Sequence, residues 1–148
     1  MKRLLIVALV IPAVLGLVFP AAAGPKPNCH PGKTCKCIGV HDCNFICSKK
    51  GCKVETQGTG DTSVTCDKGG CEVVNMGTGD LKVDCKGGKC KVHSTGTGDV
   101  KFDCPGNDCK LTCTGTGDCK LTGCKKNCKL MCTGTGKCEN DCKDPSCK

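Results

Sequence analysis

The residues with the most chemistry to offer are cysteines, of which the 148-residue chain has 20. As thiolates they would hold several soft metal ions; as disulfides they would cross-link the chain. Histidine is scarce, with only His30, His41 and His93. None stands beside a plausible nucleophile, and neither G-x-S-x-G, H-E-x-x-H nor a Walker phosphate loop occurs. The chain is therefore expected not to be an enzyme and to need no cofactor. Three further residue types recur at fixed spacing. Asp61, Asp80, Asp99 and Asp118 present carboxylates, and Lys91, Lys110 and Lys129, with Lys53, present ammonium groups. Thr95 and Thr97, Thr114 and Thr116, and Thr133 and Thr135 present pairs of hydroxyls.

The spacing behind these columns is 19 residues. Gly-Thr-Gly begins at Gly58, Gly77, Gly96, Gly115 and Gly134, and a cysteine keeps the same beat at Cys52, Cys71, Cys90, Cys109, Cys128 and Cys147. Five repeats span 52–70, 71–89, 90–108, 109–127 and 128–146, preceded by a degenerate one at 33–51 and a lead-in at 24–32. Each repeat contains two five-residue segments of alternating polarity separated by clusters of Gly, Asp and Asn, which is a strand-and-turn pattern. One strand points Cys90 and Val92 inward and Lys91 and His93 outward; the other points Val100, Phe102 and Cys104 inward and Lys101 and Asp103 outward. A single repeat cannot bury its own apolar face, so successive coils must stack. The expected fold is all-β, a disulfide-rich, two-sheet β-solenoid of about six 19-residue coils occupying 33–148.

Because the repeats differ in where they carry cysteine, they also hint at the pairing. Cys37 and Cys43, Cys113 and Cys119, and Cys132 and Cys138 flank the first turn of their coils, and in the other three coils both members are missing together. Residues that come and go as a pair are expected to be bonded. The second turn is bracketed by Cys47 and Cys52, Cys66 and Cys71, Cys85 and Cys90, Cys104 and Cys109, Cys124 and Cys128, and Cys142 and Cys147; Cys29 and Cys35 remain. That gives ten local staples. The rival arrangement joins equivalent cysteines of successive coils, such as Cys71 with Cys90, which stacking would also bring within bonding range. With no Trp, no Tyr and three Phe, such cross-links are the natural substitute for a large aromatic core.

The compartment follows from the first 23 residues. Lys2 and Arg3 precede an apolar run from Leu4 to Phe19 and an Ala21-Ala22-Ala23 site, the pattern of a secretory signal peptide. All the cysteines lie beyond it. The chain is expected to be secreted, extracellular or periplasmic, with no transmembrane segment after processing. The formal charge of +8 falls to +6 once Lys2 and Arg3 are removed, a modest basic excess that favours solubility and anionic partners.

Four functional readings follow. The leading one is a non-catalytic structural or surface-binding scaffold, with lysine columns that suit an anionic surface or acidic polysaccharide. A metallothionein-like role draws on the thiols, but the cysteines follow a fold period and export would oxidise them; no metal site is expected. A calcium role draws on the aspartate column, which is superficially similar to the repeat-in-toxin β-roll, yet that family's G-G-x-G-x-D spacing is absent and Lys137 ends the column. The T-x-T segments and the architecture resemble the insect antifreeze β-solenoids. That resemblance implies an ice-binding face built from the six threonines, although Gln57 and Met76 interrupt the array and the segment reads as a turn. Oligomeric state is not legible.

Overall fold

The computed structural model describes residues 28–147; the signal peptide expected at 1–23 and residues 24–27 of the expected lead-in at 24–32 lie outside them. Twelve short strands follow one another. Those that open each coil are β1 (Thr34–Cys37), β3 (Lys53–Thr56), β5 (Glu72–Asn75), β7 (Lys91–Ser94), β9 (Lys110–Cys113) and β11 (Lys129–Cys132). Those that close it are β2 (Cys43–Cys47), β4 (Thr62–Cys66), β6 (Leu81–Cys85), β8 (Val100–Asp103), β10 (Cys119–Thr122) and β12 (Cys138–Asp141). The odd strands form one six-stranded parallel sheet and the even strands a second. Each residue pairs with the one 19 positions on, as in Lys91↔Lys110 and Val83↔Phe102. The chain is thus a disulfide-rich β-solenoid of about six coils.

Parallel pairing without slippage needs a strong register signal, and the inward columns provide it. Val54, Val73, Val92 and Leu111 stack from one sheet, and Val64, Val83, Phe102 and Leu121 from the other; each is at most 2% exposed. The column Thr56, Asn75 and Ser94 is also buried. These residues stand where neighbouring coils carry Cys37, Cys113 and Cys132. They are joined by hydrogen bonds instead of sulfur. The Thr56 hydroxyl donates to Asn75 Oδ1, Asn75 Nδ2 donates to Ser94 Oγ (3.1 Å), and the Gly77 N–H donates to Asn75 Oδ1 (3.1 Å). Every polar atom of that buried row is satisfied, as a core requires.

The two ends differ. At the N-terminal end Asn28 bridges Ile46, Cys29 N–H donates to Ile46 O at 2.9 Å, and buried Cys29 covers the first coil. At the other end β12 is exposed throughout, and polar Asn140 occupies the register position of Leu121 and Phe102.

Candidate functional site

Four outward or edge columns carry the chemistry singled out above. On the odd-strand sheet the column reads Thr34, Lys53, Glu72, Lys91, Lys110 and Lys129, and its neighbour reads Lys36, Glu55, Val74, His93, Thr112 and Met131. Both carboxylates lie in the first half. Glu55 pairs with Lys36 and Lys53, at 3.6 and 3.4 Å. Beyond Glu72 the outward positions of β7, β9 and β11 contain no acid, and among the described residues the exposed Lys91, Lys110 and Lys129 take part in no ion pair. Adjacent parallel strands hold these three ammonium-bearing side chains about 4.8 Å apart along the rod. A shallow groove of about 230 Å³ runs across the same sheet between Glu72, Val74, Lys91, His93, Lys110 and Thr112.

The even-strand sheet is different in kind. Lys82, Lys101 and Lys120 stack there, but Asp84 and Asp103 stack two residues along, at the next outward position, and Lys120 bonds Glu139 at 2.9 Å. That face is a lattice of both charges.

The threonine segments lie along the first turn, and their backbone is hydrogen-bonded from coil to coil. Thr95, Thr114 and Thr133 donate their backbone N–H to the carbonyls of Asn75, Ser94 and Cys113, at 2.8 to 2.9 Å. Thr97, Thr116 and Thr135 donate theirs to Gly77, Gly96 and Gly115 at 3.1 to 3.3 Å, and Thr97 and Thr116 form a parallel bridge. The threonine side chains are exposed, while the glycine between each pair faces the coil below. A methyl group on Gly96 would lie 2.0 Å from Gly77 O, so only glycine permits this approach. The ladder continues through Thr59 and Thr78 in the first two full coils, beside Gln57 and Met76.

The aspartates are accounted for by the fold. Oδ1 of Asp42, Asp61, Asp80, Asp99 and Asp118 each accepts the backbone N–H of the residue 19 positions on, at 2.8 to 3.0 Å. They are rungs between coils, as Asx chemistry at turns allows. Among the described residues, no trio of carboxylates converges closely enough to hold a cation; the groupings that do converge are all cysteines.

Eight of the expected local disulfides are present: Cys29–Cys35, Cys37–Cys43, Cys66–Cys71, Cys85–Cys90, Cys104–Cys109, Cys113–Cys119, Cys124–Cys128 and Cys132–Cys138. The rival pairing between coils does not occur, although Cys71 and Cys90 come within 4.8 Å through their sulfurs. Two expected pairs are corrected. Cys47 and Cys52, and Cys142 and Cys147, stand as thiols. The Cys52 thiol donates to Cys29 O at 3.3 Å, and Cys147 Sγ lies 3.7 Å from Cys124 Sγ. Burial, then the neighbouring Cys52, then Asp67, pushes the Cys47 thiol up to about 12. Burial likewise pushes Cys142 up to about 11, aided by Cys147 and Asp141 and opposed by the Cys124 backbone amide. Sequence reasoning missed these thiols because spacing reports only that two sulfurs are near, not what else each one touches.

Compared with protein-family models, curated proteins and solved structures, the chain matches none.

Proposed function

We propose that the protein is an exported, non-enzymatic scaffold that docks anionic polymers or surfaces along its odd-strand sheet. The observation that carries this reading is the row Lys91, Lys110 and Lys129: three exposed lysines in adjacent register, with no carboxylate on β7, β9 or β11. An unneutralised row presents a continuous positive potential, whereas the interleaved acids of the opposite sheet cancel theirs at short range. A signal peptide at residues 1–23 fits this role, since anionic polysaccharides and lipid headgroups are met outside the cell. Among the described residues no helix is long and apolar enough to cross a membrane.

Heparin chromatography of the processed protein tests the reading. Retention should fall steeply with salt. Reversing Lys91, Lys110 and Lys129 to Glu should abolish it, while reversing Lys82, Lys101 and Lys120, the same change in net charge on the other sheet, should leave most of it. Elution of the unaltered protein in the void at low salt, or equal losses from the two triple variants, would refute the docking face.

The hydrogen-bonded threonine ladder favours a second reading, ice binding. Thr95, Thr97, Thr114, Thr116, Thr133 and Thr135 form a regular two-by-three array on backbone that is fixed coil to coil. Thermal hysteresis that disappears on Thr116→Lys would support it. No hysteresis and no shaping of ice crystals would end it.

A further inference from the structure

Six cysteine pairs stack along the second-turn edge of the solenoid, and the pairs at its two ends are dithiols while the four between them are disulfides. At four places along the column the sulfurs of neighbouring coils converge. Cys47, Cys52 and Cys71 lie within 4.8 Å of one another, as do Cys66, Cys71 and Cys90, then Cys85, Cys104 and Cys109, and finally Cys124, Cys128 and Cys147. At both ends, therefore, a dithiol is stacked on a disulfide. The two ends differ in access: Cys47 and Cys52 are at most 1% exposed, whereas Cys142 and Cys147 are half-buried at the open end of the rod.

We propose that this column is a thiol–disulfide exchange relay, with a small external disulfide as its substrate and Cys142 and Cys147 as its entrance. The Cys147 thiolate attacks one sulfur of R–S–S–R, forming a mixed disulfide and releasing RS⁻. Cys142 then attacks Cys147 Sγ, forming Cys142–Cys147 and releasing the second RS⁻. The two thiol protons pass to the two leaving groups, so one external disulfide is reduced and one dithiol is oxidised.

The buried dithiol at the far end supplies a second turnover through the column. Cys52 attacks Cys71, freeing Cys66, and Cys47 attacks Cys52, freeing Cys71; Cys47–Cys52 is then a disulfide and Cys66 and Cys71 are thiols. The same two exchanges carry the dithiol on from coil to coil. No outside oxidant or reductant enters, because each step makes one sulfur–sulfur bond and breaks another. The least direct step joins Cys104–Cys109 to Cys124–Cys128. Gly123 there takes the register position of the column cysteine, and Cys128 Sγ accepts the Cys109 N–H at 3.4 Å instead of facing a sulfur trio.

Titration with 5,5′-dithiobis(2-nitrobenzoate) reads the relay as a count of released thionitrobenzoate. The unfolded chain should release four equivalents, one per thiol. The native protein should also release four, two fast from the entrance and two slowly through the column. In the native Cys142→Ser, Cys147→Ser double variant release should vanish, although the same variant releases two when unfolded. Native release that stops at two would show an entrance with no relay behind it. Two equivalents from the native double variant would show that the far pair is reached directly, and none from the unfolded chain would show ten disulfides. Each of these results overturns the proposal.

Discussion

Asn75 holds the interior together where sulfur does not. Its carboxamide accepts from the Thr56 hydroxyl and the Gly77 N–H and donates to Ser94, all in buried surroundings. Truncation leaves several partners without bonds at once, so Asn75→Ala should cost about 2–3 kcal/mol in chemical denaturation, more than an ordinary hydrogen-bond deletion. Lys89 makes the opposite case. It has φ of 58° at the position where Gly51 and Gly70 stand in earlier coils, with φ of 84° and 69°. The left-handed region strains a residue bearing Cβ, so Lys89→Gly should stabilise the fold by about 0.5–1 kcal/mol, read as a raised denaturation midpoint.

The strands of each coil were legible in the sequence because Val, Leu and Phe alternate with Lys and Asp at period two, and the 19-residue beat supplied the register. The threonine ladder was not. Gly-Thr-Gly carries the composition of a turn, and what makes it a ladder is the fit of each glycine against a carbonyl one coil away, a contact between residues 19 apart that local composition does not record. The aspartate column was read as turn chemistry, and its true partners are likewise one coil distant. This gives a prediction for the element: Asp80→Ala removes the acceptor of the Asp99 N–H and should cost about 1 kcal/mol, while Asp80→Asn, which keeps an oxygen there, should cost much less. Parallel thermal melts would show the ordering, and equal losses would contradict the rung assignment. The lysine columns were placed correctly by period-two reasoning, but their inequality was not evident until both sheets could be compared acid by acid.

For the whole molecule, the two raised thiols link stability to alkaline pH. Cys47 and Cys142 hold their protons more tightly folded than unfolded, with folded values of about 12 and about 11 against an ordinary 9.0. Their contribution is therefore fully present below pH 9 and is lost as pH rises from there through 11 to 12, because the unfolded chain ionises first. Melting temperature should fall across that window at constant ionic strength. The decline should be smaller in a Cys47→Ala, Cys142→Ala variant, and an identical decline would exclude these thiols as its source.

None of the eight disulfides joins equivalent positions of stacked coils: each closes a loop between cysteines four to six residues apart in sequence. The chain in its fully cross-linked form could accordingly be drawn out almost straight, like a cord with small beads on it. Correct oxidation then needs no knowledge of the final shape. As a segment emerges from a ribosome or a translocation pore, the partner of each bonded cysteine lies just across the nearest turn, so the covalent pattern can be completed from one end to the other before any coil has found its neighbour. Refolding such a chain from denaturant with its bonds intact becomes a problem of stacking alone, free of the long-range mispairing that slows oxidative folding of proteins whose disulfides span distant sequence.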